Sequence, residues 1–441
     1  MSRATLVWLI GVPLCVALGL AISYSAPPLR DRDQHYELVR LVVDVLSEVD
    51  QNYVRELTPA ARRKLVEDML NGGLEQLDPH SGFMNAQEYK QFERKSRGKF
   101  GGVGIQVSVD RVTGSMVITS PIAGSPAQAA GILPGDEIVK VDGHPVDALR
   151  NSEAIELIQG EPGTTVTLTI QRSGEPKPLE FKLVRAIIEV ETVLGFRRRH
   201  DNPKQWDFLI DPEHKIAYVR IIEFDEPTAA RVREIVERLD LEGTRGLVLD
   251  LRGNPGGLLT SAVEVADLFL TQGRIVSTRG RQQPERSYDA RASGTLFEPP
   301  DRHPIAVLID RASASASEIV AAALQDHNRA VIVGERSYGK GSVQNIFSME
   351  DHTTALKLTT QSYWRPSGKN IHRFPDSRDA DDWGVRPTPG FEVTLSDDER
   401  LSARNARRKQ DIVAGMSEVV DSANDPVLRK AMGYLRTAVD R

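Results

Sequence analysis

The chain has 441 residues, roughly three times a typical domain, which sets an expectation of two to four folding units. With 40% apolar and 27% charged residues it is neither a disordered chain nor a coiled coil, and 62 acidic against 56 basic residues give no electrostatic case for nucleic-acid binding. Its single cysteine, Cys15, argues against a disulfide scaffold, a thiolate metal site and a cysteine nucleophile.

No residue between Arg3 and Arg30 carries a formal charge, and Leu6–Ile22 is almost wholly apolar, close to the ~20 residues that a bilayer requires. A basic start, an apolar middle and the small residues Ser23, Ser25 and Ala26 predict residues 1–30 to be a signal peptide or an uncleaved membrane anchor. Either way the body of the chain is expected outside the cytoplasm, in the periplasm or cell envelope. Cys15 lacks the small-residue context of a lipoprotein box.

Residues 31–97 read as helical. Tyr36, Leu38, Val39, Leu41, Val42, Val45, Leu46 and Val49 fall on one face at helical spacing. A second helix is predicted to start at Thr58-Pro59 and to end at Gly72-Gly73, followed by the turn cluster Leu77–Gly82. This block is expected to be a clamp or docking segment with no chemistry of its own.

From Gly98 to about Ile188 the texture changes to short strands and glycine turns. Gly101–Val109 is a glycine loop feeding an alternating strand, Ser152–Gln159 a short helix, and Val166–Ile170 a period-two strand. The run Gly131-Ile-Leu-Pro-Gly-Asp-Glu-Ile-Val-Lys-Val-Asp-Gly143 brackets a strand with two tight turns. Residues 98–188 resemble a PDZ domain, most specifically through that run. The resemblance implies that Gly102, Val103, Gly104 and Ile105 hold a peptide's terminal carboxylate on backbone N–H groups while the peptide adds a strand to the sheet edge.

Beyond Lys215 strands and helices alternate: strands at 215–222, 246–252, 305–309 and 330–333, and helices at 228–239, 261–270 and from Glu318 to Gln325. That alternation predicts an α/β layer with a largely parallel sheet in residues 189–390. Residues 279–303 read as a surface loop, and 391–441 as a charged helical tail with Leu428, Met432, Leu435 and Val439 on one stripe. The fold class is thus α/β multidomain, with a helical lead-in and a β-rich middle domain.

Two segments in this core carry chemistry. Ser313-Ala-Ser-Ala-Ser-Glu318 follows a buried strand, where a small-residue turn exposes a side chain at a helix N-terminus whose free amides stabilise an oxyanion. A serine cap is the plain alternative. A serine nucleophile needs a base, and His327, His352 and His372 all sit in polar loop contexts. A buried lysine serves instead if its neutral amine is populated, and Lys340, between Gly339 and Gly341, is the candidate. The same segment fails the phosphate-loop pattern, because Gly341 rather than Ser or Thr follows Lys340.

Together the two segments resemble the C-terminal processing peptidases, also called tail-specific proteases, with a core similar to the crotonase and Clp-protease folds. The resemblance spans residues 33 to 390 and implies a serine endopeptidase with Ser315 as nucleophile, Lys340 as general base 25 residues later and Gln344 orienting the lysine amine. It also implies oxyanion-hole N–H groups from Gly257, in the Asn-Pro-Gly-Gly turn, and Ala316, with protein substrates chosen by their C-terminal tails and no metal or other cofactor. Asp250 and Arg252 are expected to form a structural ion pair, and Glu318 to be a first-turn helix charge. Phe374–Arg386 departs from the family pattern and is expected to alter the substrate channel. Two rivals are an inactive PDZ scaffold and a Ser–His–Asp protease, the second lacking a His and Asp in motif context.

Overall fold

The computed structural model describes residues 32–109, 114–149, 151–199, 201–202, 204–299, 301–411 and 425–441. The apolar run Leu6–Ile22, predicted to be a leader or anchor, lies outside the described residues. Among the described residues no helix is long and apolar enough to cross a membrane. Contacts divide the chain into two units, one up to Gly73 and the other from Leu74 onward.

The first unit holds the helix Arg32–Asn52 and most of the helix Pro59–Glu75. Thr58 caps the second as expected, its hydroxyl accepting from the Ala61 N–H at 3.2 Å, with Pro59 in the first turn. Gly72 and Gly73 do not end this helix, which continues to Glu75.

In the second unit the rest of the block predicted to be helical contributes a strand, Gly82–Met84, before the helix Ala86–Ser96. That strand belongs to an antiparallel sheet with Thr354–Trp364, Arg274–Gly280, Arg286–Asp289 and Ser342–Met349. The stretch 279–303 is therefore not all loop. Arg286–Asp289 pairs back onto Arg274–Gly280, and Phe297 is buried in the core.

The middle of the chain forms an antiparallel sheet in the order Ile105–Val109, Met116–Pro121, Glu137–Val141, Thr165–Gln171, Leu179–Val184, with the helix Asn151–Ile158. Alternating inward residues such as Met116, Ile118, Val166, Leu168 and Ile170 give it its own core. Lys99–Gly102 and Ala186–Glu189 pair as a two-stranded ribbon where the chain enters and leaves this sheet.

The remaining sheet runs Val193–Leu194, Ile216–Ile221, Gly246–Asp250, Ile305–Ile309, Ala330–Gly334. Its last four strands are parallel, whereas Val193–Leu194 and Leu209–Asp211 run antiparallel at the edge. Every residue of Gly246–Asp250 and Ile305–Ile309 is buried, because helices cover both faces. On one face the sheet packs with residues of Thr228–Leu241, Leu259–Asp267 and Ala316–Asp326, and on the other with the predicted stripe of Pro426–Val439. The expected α/β core is thus present, and it is completed by the separate antiparallel sheet.

Asp250 and Arg252 form the expected ion pair at 2.6 Å, both buried, and Arg252 also reaches Asp425 at 2.8 Å, the residue that caps the last helix. Burial acts to raise the Asp250 pKa, but Arg252 and its hydrogen bonds outweigh it and hold the carboxyl well below its ordinary range. Replacing Arg252 by Ala leaves Asp250 buried without its counter-charge, which is expected to cost about 3–5 kcal/mol in a denaturant titration.

Candidate active site

Three parallel strands deliver the site. Gly246–Asp250 ends in the turn Arg252–Gly257, Ile305–Ile309 in the turn Asp310–Ser315, and Ala330–Gly334 in the segment leading to Lys340. Because the strands are adjacent and parallel, their carboxyl ends bring these turns to one edge of the sheet.

Of the three serines Ser313, Ser315 and Ser317, two are committed to backbone. The Ser313 hydroxyl donates to the Leu251 carbonyl at 2.9 Å, and the Ser317 hydroxyl to the Asn254 carbonyl at 3.0 Å. Ser315 stands at the N-terminus of Ala316–Asp326 with φ 55°, ψ −114°, a conformation that costs a non-glycine residue about 1–3 kcal/mol. Its side chain lies near the buried Tyr363 phenol.

The glycine turn is stitched to this serine turn. Ala314 N–H donates to the Asn254 carbonyl at 3.0 Å, and Gly253 N–H to Asp310 Oδ1 at 2.9 Å. Gly256, at φ 105°, lies so close that an added Cβ would sit 2.8 Å from the Ser315 Cβ. Among the described residues the Gly257 and Ala316 N–H groups have no hydrogen-bond acceptor. A Gly256→Ala substitution should drive the turn and Ser315 apart and lower peptide turnover roughly a hundredfold, measured as kcat.

Glu318 is not the surface charge expected of a first helical turn. Its side chain has no solvent exposure, and its carboxylate accepts four hydrogen bonds. Oε1 takes the Ser337 hydroxyl at 2.5 Å and the Gly339 N–H at 2.6 Å. Oε2 takes the Ser315 and Lys340 N–H groups, both at 2.8 Å. One oxygen therefore binds the backbone of both chemically promising residues. Burial pushes the Glu318 pKa up against the lowering effect of these bonds. The sequence carried a signal for this role: Glu318 is the one charged residue in the stretch Ala316–Leu324, all of which is buried.

Burial, and then the charge of Lys357, lower the Lys340 pKa, with Glu318 and Asp78 acting in the opposite sense. The amine therefore reaches its neutral form at a lower pH than an exposed lysine. Lys340 lines an open crevice of about 900 Å³ together with Asp78, His80, Ser342, Thr359 and His372.

Gln344 lies on Ser342–Met349 at a register shift next to Val343, opposite Thr359. Its amide nitrogen donates to the Ser342 hydroxyl at 2.9 Å and to the Thr359 hydroxyl at 3.1 Å. The departing segment 374–386 closes on the lysine segment. The guanidinium groups of Arg336 and Arg373 both lie over the Trp383 ring, and the Val385 N–H donates to the Ser337 hydroxyl that supports Glu318.

Gly102, Val103, Gly104 and Ile105 lead into the middle sheet: Gly102 ends the strand Lys99–Gly102, Val103 is buried in that sheet's core and Ile105 opens its first strand. Gly104 adopts φ 75°, and an added Cβ would lie 2.3 Å from the Ser125 Cβ, so glycine is required there. Tyr363, Thr359 and Ser337 escaped the sequence reading, which takes Glu318 only as a helix charge. Tyr363 and Thr359 carry no local motif, because only the pairing of distant strands brings them to the site.

Glu318→Gln replaces one accepting oxygen by an NH₂ group facing backbone N–H groups. It is expected to lower kcat by roughly ten- to a hundredfold and to reduce thermal stability, measured by peptide turnover and calorimetry.

Residues 215–380 match the model of peptidase family S41, and residues 117–172 match a PDZ domain model. A carboxy-terminal-processing protease of Bartonella bacilliformis is 40% identical over 354 residues, covering 79% of this chain and 76% of that protein. A carboxyl-terminal-processing protease of Synechocystis is 32% identical, covering 74% of this chain and 66% of that one. A carboxy-terminal processing protease of Bacillus subtilis is also 32% identical, covering 75% of this chain and 64% of that one. On these matches, and with an α/β core and a PDZ domain in place, the chain belongs to the carboxy-terminal processing proteases, serine-type peptidases of family S41 that act on protein substrates.

Proposed function

We propose that this chain is an extracytoplasmic endopeptidase in which Ser315 attacks the scissile carbonyl and Lys340 takes its proton. The observation that carries this reading is the Glu318 carboxylate, which accepts from the Ser315 and Lys340 N–H groups through a single oxygen. Neutral Lys340 removes the Ser315 proton as the carbon–oxygen bond forms. The resulting ammonium then protonates the departing amine, and water releases the acyl-enzyme by the reverse sequence. The Gly257 and Ala316 N–H groups hold the developing oxyanion, and Gln344 orients the lysine amine.

Substrate choice falls to the PDZ domain. Its strand Ile105–Val109 is the terminal strand of the sheet, pairing with Met116–Pro121 on one side. A substrate tail adds a strand there with its carboxylate on the Gly102–Ile105 loop. The apolar run Leu6–Ile22 supports export, which places the enzyme with exported or membrane-attached proteins.

Ser315→Ala and Lys340→Ala are each expected to lower kcat on a peptide with an apolar carboxyl end by at least about a thousandfold. Lys340→Arg should not restore it, since a guanidinium stays protonated. Wild-type turnover in either alanine variant would remove the Ser–Lys assignment.

The base works only when neutral, so kcat/KM should rise with pH through the Lys340 pKa and flatten above it. Because that pKa is lowered, the midpoint is expected below the ordinary lysine value. A pH–rate profile with a rising limb at the ordinary lysine value would contradict it.

A further inference from the structure

The turn Leu77–Gly82, expected to have no chemistry, is built into the site. Asp78 Oδ1 accepts from the His80 N–H at 2.8 Å, the Ser81 N–H at 3.0 Å and the Thr359 hydroxyl at 3.0 Å. Its Oδ2 accepts from the Ser81 hydroxyl at 2.6 Å, and that hydroxyl in turn accepts from the Thr359 N–H at 3.0 Å. The pairing of Gly82–Met84 with Thr354–Trp364 places this turn beside Thr359, and Gln344 lies across from Thr359 on the other side.

These bonds have a polarity. An ionised carboxylate only accepts, so the single Thr359 hydroxyl proton goes to Asp78. Toward Gln344 the same oxygen can then only accept, which demands an N–H there. The amide nitrogen does donate to Thr359, and its second hydrogen goes to Ser342. Both amide hydrogens are therefore committed, and Oε1 is the acceptor that remains.

We propose that Asp78 is a positioning residue of the peptidase site: by claiming the Thr359 proton it fixes the Gln344 amide with its carbonyl oxygen free to accept from the Lys340 side chain. This rests on the reading of Lys340 as general base with Gln344 as its partner. It also explains why the lead-in to the first strand of the antiparallel sheet carries a half-buried turn closed on its own carboxylate. Lys357, Glu318, Asp78 and His80 interact electrostatically with Lys340, and His372, Arg336 and Arg373 are among the other charged and titratable groups that line the same crevice. Removing the Asp78 charge takes away one of the two anions that favour protonated Lys340, so the rising limb of the pH profile moves to lower pH.

The test uses the full chain with a peptide bearing an apolar carboxyl end. Asp78→Asn can donate to Thr359, which frees the hydroxyl proton for the Gln344 carbonyl and reverses the amide. Thr359→Val cuts the relay, and Thr359→Ser keeps it. Asp78→Asn and Thr359→Val are expected to lower kcat roughly ten- to a hundredfold with KM within about twofold, while Thr359→Ser stays within about threefold of wild type. The pH midpoint of Asp78→Asn is expected below that of wild type. On a Gln344→Ala background Asp78→Asn should cost little more, because the group it positions is gone.

A kcat unchanged in both Asp78→Asn and Thr359→Val overturns the inference. So does an Asp78→Asn loss of the same factor with and without Gln344, the mark of a purely structural role. Ser315→Ala and Lys340→Ala run in parallel. If they are inactive while Asp78→Asn is unaffected, only this inference fails. If they stay active, the Ser–Lys reading falls and takes the inference with it.

Discussion

A carboxylate with no solvent exposure, Glu318, joins the segments that carry the proposed nucleophile and base. It accepts from the amides of Ser315, Gly339 and Lys340 and from the Ser337 hydroxyl. A buried charge is tolerated only when its lone pairs are filled, so moving either segment away would strand it at a cost of several kcal/mol. That constraint helps to hold Ser315 at positive φ, a conformation it would not keep by itself. The donors come from turns after two adjacent parallel strands, Ile305–Ile309 and Ala330–Gly334. The next strand in the sheet supplies the glycine turn whose Gly256 touches Ser315. Sheet topology thus brings the three turns together, and a single side chain fixes two of them.

Much of this was legible in the sequence because it is local. The alternation of buried strands and helices predicts the parallel core, and Ser315 sits in a small-residue turn and Lys340 between two glycines, each shortly after such a strand. The predicted stripe of Leu428, Met432, Leu435 and Val439 is buried as a unit. Glu318 was misread because an acid in a first helical turn is ordinarily a solvated partner of the helix dipole. Only the absence of any polar face on Ala316–Leu324 distinguishes it. The antiparallel sheet was missed for a different reason. Its hairpins, Arg274–Asp289 and Ser342–Trp364, are local, but their pairing with each other and with Gly82–Met84 spans separations that leave no local trace.

The same separation explains Asp78. Its turn and Thr359 lie 281 residues apart, and no spacing rule connects them. What joins them is the direction of a hydroxyl proton, set by a carboxylate that can only accept. The PDZ domain stands in contrast. It has a core of its own, centred on Met116, Ile118, Leu168 and Ile170, and its defining turn is contiguous in sequence. Its glycine loop follows from local constraints too, with Ser125 occupying the space beside Gly104.

The Ser–Lys chemistry is tested most directly by trapping the acyl-enzyme. The full chain is mixed with a tail-bearing peptide, quenched in acid within the first turnover and digested for mass spectrometry. The adduct is expected on the peptide containing Ser315, and it should be lost when Lys340 is replaced by Ala. An adduct on any other residue, or undiminished acylation without Lys340, would contradict the mechanism.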